Sequence, residues 1–415
     1  MQISSATFVA LSRAQARALG YSDLPIAVVP HPFETRTRAQ LREIAEKSVE
    51  DIARYVCEAD APEVNAGAAP GKRAGTVEVA DDVDEINRLF RERRWTDGFP
   101  VVAPTADRVR RMLRCASQPA DELIATVAPG MGAATVQRIA VNAVMAGCDP
   151  EYMPVLIAAV KALTAPEFNL QSIQVSTNPA GVWLIVNGPV ARRLDMNDGV
   201  NCLGHGNWAN ATLGRALRLV MQNIGGALSG EMDRATHGQP GKYTFCCAES
   251  EVANPWEPLH VERGFRREQS TVTVVAAEGT QNINTHAKTA NDLLRIFADA
   301  MQRPAGNDYW IGGEPWIVMS PWHANILKAA GLTKSEVKYR VWEESKIPAS
   351  RMDEEDREHT QVGRRAELGA ISLDTMLPIS RSPGNLGIIV AGGAGTHSLY
   401  VPSFGNTRSV TLEVN

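Results

Sequence analysis

Apolar residues recur at helical spacing in some windows of this chain and form short compact runs in others, and the two alternate throughout. Thr7 to Leu19 reads as a helix closed by Gly20, and Pro25-Ile26-Ala27-Val28-Val29-Pro30 as a strand bracketed by prolines. Thr35 or Thr37 then caps a helix reaching about Cys57, with Leu41, Ile44, Ala45, Val49, Ile52 and Val56 as its buried stripe. A single strand forms no sheet, so residues 1–60 read as part of an α/β unit whose partner strands come from elsewhere. His31 sits at that strand's carboxyl end, where open α/β sheets bind ligands. Between a strand and a proline, a structural role is the favoured one.

Small, polar and chain-breaking residues then dominate, marking residues 61–80 as a linker. A second unit starts at Asp81-Asp82, with Val83, Ile86, Leu89 and Phe90 striping its first helix. Asp97-Gly98 makes a turn, Val101-Val102 a short strand, and Thr105 caps a helix holding Val109, Met112 and Leu113. Helices follow from Val136, from Met153 to Leu163 and from Ala211 to Gln222, the second apolar almost all round. Strands fall at Gly181 to Pro189 (ending in a turn), Ser270 to Ala277, Pro315 to Ser320 and Leu386 to Ala391, and further helices at 287–302, 324–330 and 335–344. The charge-dense stretch 350–366 reads as a solvated excursion. The fold class is α/β of mixed α+β character, with a large mixed-sheet domain over 81–415 behind a small partial α/β unit.

Composition narrows the function without naming it. At 415 residues, 44% hydrophobic and 21% charged, the chain is ordinary for a soluble globular protein. A formal charge of −5 and no basic stripe argue against nucleic acid as a partner. No apolar run approaches the ~20 residues that span a bilayer, so no membrane partner is expected, and the start lacks a secretory signal. A cytoplasmic location follows, with the six cysteines taken as free thiols.

Candidate chemistry is densest from Gly204 to Gly264. Gly-His-Gly-Asn-Trp-Ala-Asn (204–210) leads into a helix, and glycine there lets backbone approach a ligand while free amides suit an anion. The plain alternative is a tight turn in which Asn207 or Asn210 caps a core helix. Gly241-Lys242, Tyr243-Thr244-Phe245-Cys246-Cys247 and Pro255-Trp256-Glu257-Pro258-Leu259-His260 follow. Thiolate is the reactive form of cysteine, and Lys242 would lower the Cys246 pKa if the two sit close. His205, Glu257 and His260 are acid–base candidates, while a buried-strand reading makes Cys246 and Cys247 mere packing. Arg215 and Lys242, charges within apolar segments, are candidate anchors for an anionic group, with internal salt bridges to Glu249 or Glu257 the competing outcome. Asp97, Asn207 and Asn210 complete the binding candidates, with Gly393, Gly395 and His397 of the Gly392-Gly393-Ala394-Gly395-Thr396-His397 loop after a strand. The Gly204–Asn210 loop, the Lys242–His260 segment and this last loop are expected to converge on one pocket. No spacing matches a zinc signature, so no metal ligands are assigned, and no motif identifies a cofactor.

Several of these runs together resemble the UGSC-like family, labelled thiol–disulfide oxidoreductases and in part selenoproteins. They are Trp95 to Thr105, Asn142 to Cys148, Asn210 to Leu219, Gly241 to Cys246, Pro255 to His260 and Gly392 to Gly395, in order across 81–415. Residues 1–60, with Pro30-His31-Pro32, resemble the tail of that family's N-terminal domain. The [U/C]-Gly-Ser-Cys motif that names the family is absent. The resemblance therefore implies either a lost redox motif or a second subunit that carries a Cys-containing α/β half-domain and completes the N-terminal sheet; a homo-oligomer through the same edge competes.

The sequence thus points to an enzyme or enzyme subunit of oxidoreductase character, acting on a small anionic metabolite by thiol or sulfur–selenium chemistry with a partner chain. A lyase or hydrolase of specialised metabolism, with or without metal assistance, using His205, His237, Glu257 and His260, is the alternative. A non-catalytic scaffold subunit is the third reading.

Overall fold

The structure, a computed structural model, describes residues 1–33, 35–58 and 75–415. Most of the expected linker lies outside them, and 75–80 carries no regular structure.

The N-terminal unit holds two strands, where the sequence reading found one. β1 (Gln2–Ser5) runs parallel to β2 (Ile26–Val29), with Ile3 opposite Ala27. Its sequence, Gln-Ile-Ser-Ser, offers one apolar residue and therefore no pattern to detect. The Val9–Ala18 helix makes the crossover, and Arg38–Glu58 follows β2. That second helix forms where the spacing places it, but its stripe is mostly uncovered: Ile44 is buried, whereas Val49 is 58% and Val56 63% exposed. His31 is structural here, 3.2 Å from Ser5 Oγ and edge-on to the Phe8 ring.

The large domain is built from two four-stranded sheets packed face to face with helices outside both. In the first, β5 (Gly181–Asn187) pairs in parallel with β6 (Cys246–Ala248) and antiparallel with β7 (Thr271–Ala277), and β14 (Val410–Glu413) flanks β7. In the second, β9 (Trp316–Met319) lies between parallel β12 (Gly387–Val390) and antiparallel β13 (His397–Val401), with β8 (Gln281–Asn284) beyond. Side chains alternate across a strand, and here both faces of β5, β7 and β9 are buried. Val182, Leu184 and Val186 of β5 meet the helices Val136–Ala146, Met153–Leu163 and Trp208–Asn223. Trp183 and Ile185 point the other way, onto Trp316 and Val318 of β9 and Ile389 of β12. Ile317 and Met319 then face the helices Ala290–Met301, Pro321–Ala329 and Lys334–Glu344. Four layers with three apolar seams result, which explains why the strands read as continuous apolar runs.

Several helix starts follow the sequence signals. Thr105 accepts from Arg108 N, Thr135 from Arg138 N, and Thr333 forms a reciprocal capping box with Glu336. Two expectations need correction, and one element was not anticipated. Val101-Val102 forms no strand; Val102 N donates to Met145 O instead. A hairpin, β3 (Leu123–Val127) with β4 (Gly132–Thr135), precedes the Val136–Ala146 helix. The charge-dense stretch is an ordered helix, Glu354–Leu368, rather than an excursion. Arg364 fastens it, 1% exposed, donating to Tyr309 O and Pro378 O at 2.8 Å and pairing with Glu367. A minor pair, β10 (Ile347–Pro348) with β11 (Met376–Leu377), edges this region.

Candidate functional site

The loop through residues 195–207, the end of β6 and the turn after β12 do meet. Ala248 N donates to Asn197 O, Ser250 N to Val390 O, and Gly392 N to Asp198 O. A Cβ on Gly393 would come within 2.8 Å of Val200, so glycine permits this approach. Asn207 caps the Trp208–Asn223 helix through Asn210 N at 2.9 Å. Asn210, 3% exposed, clamps the loop: its amide oxygen accepts from Asn197 N and its nitrogen donates to Asn197 O and Cys202 O. Both asparagines are thus engaged in holding backbone.

That clamp positions a pair of thiols which the sequence reading did not single out as a pair. Cys202, 6% exposed, lies against Cys247, which is fully buried, and both are free. Cys246 and Cys247 are adjacent on β6, so they point to opposite faces. Cys247 enters the seam between the sheets, with Trp183 and Trp316, while Cys246 faces the Trp208–Asn223 helix. The two thiols shift each other's acidity in opposite directions: the Cys247 neighbour lowers the Cys202 pKa, helped by the amides of Cys202 and Leu203 against burial and the nearby Asp198 charge. The Cys202 neighbour and burial push Cys247 well up. The Trp183 indole N–H, without an oxygen or nitrogen partner, opposes that by favouring the Cys247 thiolate.

The assignment of Cys246 as the reactive thiol does not fit this geometry. Burial drives its pKa upward, and Lys242 is committed elsewhere, with Nζ 2.6 Å from Asp233 Oδ2. Cys148 is similarly inert, raised by burial to about 12 and donating to Thr212 O. Burial also lowers the Lys242 pKa. Arg215 is spent on Asp97, Nε to Oδ2 at 2.8 Å and Nη2 to Oδ1 at 2.9 Å, and on Pro100 O. Internal pairing therefore accounts for both expected anion anchors and for Asp97, although the partner carboxylates are Asp97 and Asp233 rather than Glu249 or Glu257.

Next to the thiols lies a buried polar cluster. Glu249, 3% exposed, accepts from Asn187 Nδ2 at 2.7 Å, Asn254 Nδ2 at 2.8 Å and Leu259 N at 2.7 Å, and burial raises its pKa. Glu251 accepts from Gly188 N at 2.5 Å and lies 3.7 Å from Nδ1 of the fully buried His260. Asp198 is raised by burial and held by a Ser250 hydrogen bond. The other candidates stand apart from this cluster. His205 and Glu257 are exposed, and both use backbone carbonyls as acceptors for Asn201 and Lys334. His397 is exposed and 3.2 Å from Asn282 Oδ1; Gly395 only contributes its carbonyl to Ser320 Oγ. Residues 197–200, just before Gly204–Asn210, make the contacts to the Gly392–His397 loop, and His205, His260 and His397 share no partner.

Among the described residues, no three His, Cys, Asp or Glu side chains gather as a metal-holding set, and no helix is long and apolar enough to cross a membrane. A cavity of about 990 Å³ lies away from the thiols, walled by 75–81 and by Phe90, Trp95, Asn142 and Met145. It contains none of the candidate residues.

Residues 1–58 match the model of the UGSC family, so the N-terminal unit is UGSC-like in sequence. The matched range does not take in the motif-dense region from Trp95 onward. No curated protein and no solved structure matches the chain.

Proposed function

We propose that this chain is an enzyme, or the large subunit of one, that performs thiol–disulfide chemistry at Cys202 and Cys247. The carrying observation is the contact between these two free thiols with divided acidities, the outer one shifted towards thiolate and the inner one away from it. In this reading Cys202 Sγ attacks a disulfide of the substrate, forming a mixed disulfide and expelling one substrate sulfur as thiolate. Cys247 then attacks Cys202 Sγ, releasing the second substrate thiol and leaving the Cys202–Cys247 disulfide. The Cys247 proton leaves with the product thiols, so the substrate disulfide is reduced as the protein dithiol is oxidised. A thiol-bearing partner, such as the Cys-containing half-domain expected to join residues 1–60, would restore the dithiol. The alternative of a lyase or hydrolase has weaker geometric support, because His205 and Glu257 face solvent while His260 is fully buried.

The test is oxidation with a small disulfide followed by peptide mapping. A Cys202–Cys247 linkage, abolished in Cys202→Ser and retained in Cys246→Ser, is expected. Formation of no linkage, or one involving Cys246, rejects the proposal.

A further inference from the structure

Arg215 and Lys242 are neutralised internally, but another buried cation, Arg263, lies on the far side of the tryptophan pair. Trp183, which faces Cys247, meets Trp316 edge to face with ring centroids 5.7 Å apart. The Arg263 guanidinium lies over the other tryptophan, 5.6 Å from the Trp316 ring centroid. Arg263 and Trp316 line a pocket of about 280 Å³ with Lys338, Glu262, Glu314 and the 384–387 turn.

The charges there are unevenly matched. Arg263 donates to Ser409 O, Thr411 Oγ1 and Ser409 Oγ, all neutral, and has no carboxylate within 4 Å among the described residues. Burial lowers its pKa, with Glu314 and Glu262 acting only at longer range. Glu262 is shared by two lysines, Lys334 at 2.7 Å and Lys338. Glu314 accepts from Ser409 N and Oγ at 2.6 Å and has Arg408 at 3.8 Å. Two cations, Arg263 and Lys338, and two carboxylates, Glu262 and Glu314, line the pocket, but both carboxylates are engaged by other groups, so the guanidinium is the lining cation with no carboxylate in direct contact. A desolvated cation of this kind is costly unless an anion completes it. The Trp316 indole N–H, on a side chain 1% exposed, is also without a partner.

We propose that this pocket binds a small tetrahedral oxyanion, phosphate or sulfate, free or carried on a small molecule, with Arg263 as the principal ligand and Lys338 in support. A planar, multiply donating guanidinium suits such a group, and the volume admits little more than the anion and a short substituent. The site is independent of the dithiol chemistry.

Isothermal titration with inorganic phosphate and, separately, sulfate, at constant ionic strength in chloride, tests it. The titration is run on the Cys202→Ser protein so that thiol reactivity plays no part. Saturable one-to-one binding, quenching or enhancing tryptophan fluorescence, is expected; Arg263→Gln should weaken it more than tenfold, and Arg263→Lys less. If Arg263→Gln fails to fold, Lys338→Gln, which leaves Glu262 paired with Lys334, should still weaken binding severalfold. Absence of saturable binding, or binding unchanged in the variant that folds, overturns the proposal.

Discussion

Asp97 and Arg215 form a two-pronged ion pair that ties the Thr96–Pro100 turn to the Trp208–Asn223 helix, with the Asp97 side chain only 3% exposed. The guanidinium also caps the carbonyls of Phe99 and Pro100 and lies over the Phe99 ring. Arg215→Ala strands a buried carboxylate, so stability should fall by about 3–5 kcal/mol. Disulfide exchange at Cys202, measured per folded molecule, should not change. Urea denaturation of the variant decides the point: a loss below about 1 kcal/mol would contradict a structural role for the pair.

Native-state alkylation provides a second prediction. Cys57 is exposed and Cys115 half-buried, so both should label readily, while burial protects Cys148 and Cys246. Cys202 should label faster than either buried thiol, and its rate should level off at lower pH than that of an ordinary free thiol, because its thiolate is favoured. Asn210→Ala removes the bonds to Asn197 and Cys202 O and should speed Cys202 labelling several-fold. Equal rates at Cys202 and Cys246 would count against the assignment. Mass spectrometry of time points reads every cysteine at once.

The large domain was legible because apolar periodicity survives in strands buried on both faces and in helices with threonine caps. What failed was short or relational. Four residues with one isoleucine conceal β1, and Glu354–Leu368 looked solvated because Arg364 and Glu367 satisfy one another inside the fold. Pairing across the chain is invisible to local patterns: no spacing links Cys202 to Cys247, or Lys242 to Asp233. One signal was available, since adjacent cysteines on a strand must face opposite ways, and only one could line the helix-side core.

Glu278 and Asp308 should make the fold less stable as pH rises through the neutral range. Burial, with the Asp308 charge, raises Glu278 to about 7; burial raises Asp308 to about 6, against hydrogen bonds from Ser403 and Tyr400. Both folded values exceed the unfolded ones. Their stabilising protonation is therefore complete below the unfolded values near 4 and is lost as pH climbs through the folded values. For Glu278 the difference is roughly 2–3 kcal/mol between pH 4 and pH 8. Glu278→Gln keeps an acceptor for Asn307 and should flatten the slope of unfolding free energy over pH 5 to 7. An unchanged slope would show that Glu278 is already ionised in the fold.

The N-terminal unit leads to the last prediction. β1 and β2 satisfy one edge of each other, and among the described residues neither has a strand on its outer edge. Two strands are marginal alone, and Val28, Val49 and Val56 are each more than half exposed. The unit's bonds to the large domain are sparse, among them Arg234 Nη2 to Thr7 O at 3.0 Å and the exposed Arg38–Glu358 pair, and exposed pairs contribute little. A partner that extends this sheet and covers the helix should therefore bind it: the Cys-containing half-domain chain proposed above, or a second copy. Light scattering of the purified protein should give a mass above the 44.9 kDa of one chain. Val49→Asp with Val56→Asp should reduce it to one chain while the main thermal transition stays in place. A wild-type monomer that is stable and fully active in disulfide exchange without any added protein would refute the need for a partner.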